Sequence, residues 1–137
     1  MSGALCDGDL VLGLQVRHTT SISRGDIVVL WSDVGIAIKR VIAVGGDTVE
    51  MKNRRVELNG QFLVEPYLCD ADGTNEGHAT QSDVPFTVPE RTFYVLGDNR
   101  DISRDSRTFG PVERALMLQK VVFNLSRNRI SGCACGK

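Results

Sequence analysis

One lysine of the sequence lies where its amine could become a base. Lys39 belongs to the run GIAIKRVIAV, residues 35–44, which is otherwise almost entirely apolar. A lysine that accepts a proton near neutral pH needs a pKa far below the ordinary ~10.4, and burial lowers it because the ammonium loses its hydration. Such an amine could activate a serine hydroxyl as a nucleophile. Strand side chains alternate between faces, so the run alone favours an ordinary outward-facing lysine.

A second stretch, GDNRDISRDSRTFG at residues 97–110, is dense in polar groups and follows the apolar run FYVL. It holds three aspartates, three arginines and two serines, and its formal charges cancel. Charge-assisted hydrogen bonds among these groups could fix a loop in one conformation. A solvated turn with incidental ion pairs would have the same composition, because exposed pairs contribute only ~0–1 kcal/mol each.

Other kinds of site have little support. No motif surrounds His18 or His78, so a Ser-His-Asp arrangement is not indicated. The glycine pair at 45–46 leads into a strand rather than a helix, which does not fit a phosphate-binding loop. The acidic residues carry no motif that singles out a catalytic pair. The cysteines lack the paired elements of a zinc site, and no metal or cofactor is predicted; they are Cys6, Cys69, Cys133 and Cys135.

Size and charge fit one globular domain. The chain has 137 residues, of which 42% are hydrophobic and 24% charged. A net charge of -1 gives no electrostatic support for nucleic acid as a partner. No apolar stretch reaches the ~18–20 residues that cross a bilayer, so we expect any membrane attachment to come from an anchor outside this chain.

Strand patterns dominate, and the sequence predicts a mostly β fold. Short β-branched and apolar runs occur at 10–16, 26–31, 36–44, 48–51, 56–58, 62–64, 92–96 and 118–125. Asn59-Gly60 predicts a two-residue hairpin turn, because both positions of a type I′ turn need positive φ. A short helical turn is expected at 112–117. The polar segment at about 66–88 is predicted to be an inserted β-ribbon or loop, and 126–137 a tail outside the domain of 1–125.

Two stretches taken together resemble the motifs of a known family. IKRVIAVGGD at 38–47 and GDNRDISRDSRTFG at 97–110 are similar to the two best-known motifs of bacterial type I signal peptidases, or leader peptidases. The similarity extends through VELNGQ, EPYL and VPERTFYVLGDNR, and covers most of residues 5–125. It implies a signal-peptidase-like catalytic β domain.

The resemblance also implies roles for individual residues. Lys39 matches the general base of the family's Ser-Lys dyad, and Ser103 matches the serine whose hydroxyl orients that lysine. Leu5, Ala37 and Ile38 match the walls of shallow pockets for small substrate side chains. The remaining matched positions support the site, and they are Arg40, Asp98, Asp105 and Arg107.

The nucleophile is the position at which the sequence departs from the family pattern. That pattern reads Ser-Met-x-Pro-Thr-Leu, followed two residues later by Gly-Asp. Aligning Leu5 with it places Gly3 and Ala4 on the Pro and Thr, and puts the nucleophile one position before Met1. Three interpretations remain open: the sequence begins at an internal methionine, the protein is a natural non-catalytic homologue, or Ser2 serves after a local deletion.

The resemblance implies a membrane-associated serine endopeptidase that removes signal peptides from exported preproteins. Its catalytic domain would lie on the extracytoplasmic side of the plasma membrane. We expect the chain as given to be inactive without the upstream serine. One alternative is a non-catalytic homologue that binds extended peptides or assists surface-protein assembly. Another is a self-cleaving regulator with the same chemistry, which would need a DNA-binding segment.

Overall fold

The computed structural model describes residues 5, 9–53, 55–68, 84–100 and 102–125, and these form two antiparallel sheets. One sheet has six strands in the order β1-β10-β2-β3-β8-β9, and the other has four in the order β6-β5-β4-β7. The strands are β1 Val11–Gln15, β2 Ile27–Ser32, β3 Gly35–Val44, β4 Thr48–Lys52, β5 Arg55–Leu58, β6 Gln61–Phe62, β7 Phe86–Thr87, β8 Thr92–Leu96, β9 Val112–Glu113 and β10 Met117–Asn124.

The mostly β prediction is confirmed, and each predicted strand overlaps an observed one. Asn59 and Gly60 connect β5 to β6 with φ values of 52° and 81°, as the predicted turn requires. The helical turn expected at 112–117 is shorter: only Arg114–Leu116 form a 3₁₀ turn. Val112 instead pairs with Phe93 of β8, because its apolar side chain is buried in the core.

The predicted insert lies only partly within the described residues. Residues 69–83 are outside them, as is the predicted tail at 126–137. Near the end of the predicted insert, Phe86–Thr87 form β7 and pair with β4. No helix among the described residues is long and apolar enough to cross a membrane.

The long strand β3 contributes to both hydrophobic clusters. Val41 packs in a cluster with Val28, Leu30 and Val95, which are all fully buried. Its neighbour Ile42 points the other way, into the cluster beneath the four-stranded sheet. A β-bulge interrupts the pairing of β3 with β8 just after Val41, and the second half of β3 is packed on both of its faces.

The two halves of β3 have different neighbours, and this difference creates the site. Residues 35–40 pair with β2, while β8 pairs with β3 from Arg40 to Val44. No described strand covers the other edge of residues 35–39. This edge is referred to below as the open edge of β3. The chain leaves β8 at Leu96 and enters the polar stretch, which continues into the short helix α1, Ser106–Phe109.

Candidate active site

A groove of about 440 Å³ runs between the open edge of β3 and the loop that follows β8. The β3 side is apolar apart from Lys39 and Arg40. The groove is lined by Leu5, Ile27, Val34, Ala37, Ile38, Lys39, Arg40, Gly97, Asp98, Asn99, Ile102, Ser103 and Arg104. Seven of the nine residues predicted for the site are in this set, and the other two, Asp105 and Arg107, lie behind it.

Lys39 is half-buried in the groove, opposite Val28 in the sheet register. Burial lowers the pKa of the Lys39 amine below its ordinary value. The Asp105 carboxylate opposes this effect, the Arg107 guanidinium adds to it, and the Asp98 carboxylate opposes it more weakly. Because Lys39 lines the groove with this lowered pKa, the structure does not support the fully solvated strand lysine that the run alone favoured.

Gly97 allows the hydroxyl of Ser103 and the amine of Lys39 to approach the same point. A Cβ atom placed on Gly97 would lie 2.0 Å from Ser103 Oγ and 3.6 Å from Lys39 Nζ. Real Cβ atoms essentially never come closer than 3.0 Å to such a neighbour, so only glycine fits. No role was predicted for Gly97 itself, because spacing along the chain shows no sign of this close contact.

The Ser103 hydroxyl is buried and has no hydrogen-bond partner among the described residues. It lies close enough to the Asp105 carboxylate to add slightly to the lowering of that pKa, but not in hydrogen-bonding geometry. Buried polar groups are almost always paired, since an unpaired one costs free energy. An unpaired hydroxyl beside a basic amine is therefore suited to hydrogen-bond that amine.

Arg40 clamps the start of the loop onto β3. Its Nε and Nη2 donate to the two carboxylate oxygens of Asp98 at 2.9 and 2.7 Å, and Nη1 donates to the Gly25 carbonyl at 3.2 Å. Burial works to lower the pKa of the Arg40 guanidinium, but the hydrogen bonds and charge of Asp98 outweigh it and leave the pKa raised. The guanidinium also stacks 3.9 Å above the centre of the Tyr67 ring.

Asp105 fixes the other end of the loop. Its fully buried carboxylate accepts from Arg107 Nε and Nη2 at 2.8 Å each, and from the Gly97 N–H at 3.0 Å. It also caps α1 by accepting from the Arg107 N–H. Burial works to raise the pKa of Asp105, but the Arg107 and Gly97 hydrogen bonds and the Arg107 charge hold it below its usual range.

A third ion pair beneath the loop was not predicted as part of the site. Arg100 forms a two-pronged pair with Glu65, and its Nε donates to the Gly97 carbonyl at 3.1 Å. The Tyr67 hydroxyl donates to Glu65 at 2.5 Å. Glu65 and Tyr67 belong to EPYL, a stretch that is similar to the family in sequence but whose residues were given no role in the sequence analysis. No local pattern reveals a partner 35 residues away.

The apolar wall of the groove contains the three predicted pocket residues, Leu5, Ala37 and Ile38. It also contains Val34 and Ile102, which the sequence did not single out. At the surface, the Arg104 guanidinium pairs with Asp33 in the β2–β3 turn and so links the two sides of the groove.

The other candidate residues lie elsewhere. His18 lines a separate cleft with Arg17 and Glu90. Ser2, His78 and the four cysteines fall outside the described residues. The structure thus places the predicted base, Lys39, and its orienting serine, Ser103, together, while their roles stay predictions.

Comparison with known proteins agrees with this geometry. A family model described as "Signal peptidase, peptidase S26" matches residues 1–125. Signal peptidase I S of Bacillus subtilis is 41% identical over 102 residues, which are 70% of this chain and 54% of that protein. Signal peptidase IB of Staphylococcus aureus is 34% identical over 136 residues, or 90% of this chain and 71% of that protein. The chain therefore spans only about half the length of the Bacillus relative.

The fold is also similar to a solved structure. The crystal structure of a signal peptidase I from Enterococcus faecalis V583 superposes with a TM-score of 0.59 at 35% sequence identity. The match covers 76% of this chain and 98% of that one. The expected signal-peptidase-like β fold is thereby confirmed.

Proposed function

Because the chain belongs to the signal peptidase family, peptidase S26, we propose that the intact protein is a serine endopeptidase that removes signal peptides from exported preproteins. One observation carries this proposal. The Lys39 amine and the Ser103 hydroxyl converge against Gly97 in a groove that runs beside an open strand edge. A base with a lowered pKa, next to a site for extended peptide, is the arrangement that peptide cleavage needs.

The substrate would bind as an added strand. The open edge of β3, which no strand of the described residues covers, would offer its backbone groups to an extended peptide, whose side chains then alternate towards and away from the groove wall. The side chains one and three residues before the cut would share a face and enter the pockets formed by Leu5, Ala37 and Ile38. The family resemblance implies that these pockets are shallow and would favour small side chains.

The chemistry would proceed through an acyl-enzyme. In the family register the nucleophilic serine comes directly before Met1, in a chain extended at its N-terminus. Its oxygen bonds to the peptide carbonyl carbon as Lys39 takes its proton, and Lys39 then returns a proton to the departing amine. Water, deprotonated by the same amine, then bonds to the acyl carbon, the ester bond to the serine breaks, and Lys39 returns the proton to the serine oxygen. The Ser103 hydroxyl oxygen would accept a hydrogen bond from an N–H of Lys39 and so leave the lone pair of the amine aimed at the nucleophile.

Location follows from the substrate. Signal peptides are cut at a membrane, so we propose that an anchor outside this chain holds the domain on the extracytoplasmic side of the plasma membrane. The described residues would then contribute the base, the groove and the loop that supports them. No nucleic-acid partner is proposed.

The test is to restore the register and measure cleavage. A chain extended upstream, with a serine directly before Met1, should cleave a purified preprotein, and Ser→Ala at that position should abolish cleavage. The 137-residue chain should not cleave, because Ser2 lies two positions out of register and attack requires the reacting atoms ~3–3.5 Å apart. Cleavage by the 137-residue chain that is lost in Ser2→Ala would overturn this register. An extended chain that binds the preprotein without cutting it would favour the non-catalytic, peptide-binding homologue.

A further inference from the structure

Two side chains of EPYL, Glu65 and Tyr67, contact two of the arginines that hold the loop, Arg100 and Arg40. The side chains of Glu65 and Arg100 are only 7% and 3% exposed, so the two charges depend on one another for compensation. Tyr67 is linked to both ends of this network, through its hydroxyl to Glu65 and through its ring to the Arg40 guanidinium. Burial, with the neighbouring Glu65 charge, raises the pKa of the Tyr67 phenol, which therefore stays a neutral donor.

Arg100 connects this network to the backbone beside Ser103 and Lys39. Its Nε holds the Gly97 carbonyl, while the Gly97 N–H is held by Asp105. Gly97 is therefore fixed on both sides of its Cα, the atom against which Ser103 and Lys39 pack. The Arg100 carbonyl in turn accepts from Arg107 Nη2 at 2.9 Å. Without Glu65, a buried guanidinium would lose its counter-charge and the hold on the Gly97 carbonyl would loosen.

We infer that Glu65 and Tyr67 are positioning residues of the proposed peptidase site: by holding Arg100 and Arg40 they fix Gly97, and through it the relative placement of Ser103 and Lys39. The inference rests on the proposed function for its kinetic consequences. Neither residue lines the groove, so both act without contacting the substrate. Small displacements of reacting groups lower turnover sharply, whereas binding of peptide along the open edge of β3 should be unaffected.

The kinetic test uses the extended, serine-containing protein with Glu65→Gln and, separately, Tyr67→Phe. Glu65→Gln should lower kcat by about tenfold to a hundredfold and leave KM unchanged, because only the geometry of the reacting groups is altered. Tyr67→Phe keeps every charge and removes one hydrogen bond, so its kcat should fall less. Wild-type kcat in both variants would overturn the inference.

The pH profile separates positioning from general stability. The charged groups that face Lys39 are Asp98, Asp105 and Arg107, with Arg100 and Glu65 beyond Gly97. Removing the Glu65 charge leaves Arg100 unbalanced, so the Lys39 pKa should fall and the acidic limb of kcat/KM should move to lower pH. Adding Arg100→Gln to the Glu65→Gln variant removes the unbalanced charge, so the acidic limb of kcat/KM should return to its wild-type pH. The value of kcat should stay low, because the Gly97 carbonyl has lost the hydrogen bond from Arg100.

The matched control is the pair of Arg24 and Asp47, another two-pronged arginine–carboxylate contact with a buried acid, away from the groove. Asp47→Asn should lower the melting temperature but leave kcat and the acidic limb of the pH profile of kcat/KM unchanged. Circular dichroism should first show that each variant is folded. A Glu65→Gln variant that behaves like this control, with only its melting temperature lowered, would show that the network is merely structural.

Failure of the proposed function can be told apart from failure of this inference. If the extended wild-type protein does not cleave, the proposed function fails, and NMR titration of the Lys39 amine in the 137-residue chain still tests the network. Glu65→Gln should shift that titration to lower pH, whereas Asp47→Asn should not. A Lys39 titration that is the same in Glu65→Gln and wild type would overturn the inference.

Discussion

Ser103 and Lys39 meet across the bare Cα of Gly97. The hydroxyl and the amine lie 2.0 and 3.6 Å from the point that a Gly97 Cβ would occupy. The two groups come from distant parts of the chain, a strand and the loop after another strand. A glycine between them is thus a steric condition for the approach of Ser103 to Lys39, independent of the glycine's backbone conformation.

Gly97→Ala should therefore disable the site. The added methyl group must displace Ser103, so we expect kcat of the extended protein to fall by about a hundredfold or more. Overpacking should also cost ~1–3 kcal/mol of unfolding free energy. Gly13→Ala is the control, because its Cβ would meet chiefly the flexible end of the Gln119 side chain, 2.5 Å away. Unchanged kcat in Gly97→Ala would contradict the crowding that the structure shows.

The lowered pKa of Lys39 predicts a specific dependence of stability on pH. Because burial depresses the pKa in the folded state, the unfolded chain binds the proton more tightly and Lys39 destabilises the fold at neutral pH. Stability should rise with pH from the folded pKa up to the unfolded value of ~10.4.

Lys39→Met should accordingly stabilise the protein at pH 6–7 and lose that advantage as the pH approaches ~10.4. Urea denaturation at several pH values measures this difference, and cleavage by the extended protein should be abolished. An advantage that does not shrink as the pH rises would mean that the Lys39 amine titrates normally in the folded state.

Much of the fold follows from local pattern, and much of the site does not. The β-branched runs predict the strands, and Asn59-Gly60 predicts the hairpin because both residues adopt positive φ readily. The α1 helix was missed because the four residues of Ser106–Phe109 are too few to show a period of 3.6. The pairing of Glu65 with Arg100 and the contact at Gly97 depend on tertiary packing, which leaves no trace in spacing along the chain.

Asp105 should be the most costly carboxylate of the loop to remove. Asp105→Asn removes the buried carboxylate that pairs with the Arg107 guanidinium, and breaking such a pair typically costs about 3–5 kcal/mol. Because its pKa is lowered in the folded state, the contribution of Asp105 should be intact above pH ~4 and lost as the pH falls through the folded pKa. Asp33→Asn, in the exposed pair with Arg104, should leave the urea midpoint nearly unchanged. Equal midpoint shifts in the two variants would contradict the difference in burial.

The open edge of β3 should bind extended peptide even in the 137-residue chain, though weakly. Main-chain hydrogen bonds supply the affinity in strand addition, and small side chains at alternate positions fit the wall formed by Ala37 and Ile38. A signal-peptide segment with alanine one and three residues before the cut should slow hydrogen exchange of amides within residues 35–39. The same peptide N-methylated on the amides that face β3 should not, because it cannot donate those hydrogen bonds. Protection that appears instead around His18 and Arg17 would show that the peptide binds in the separate cleft and would contradict binding at the open edge of β3.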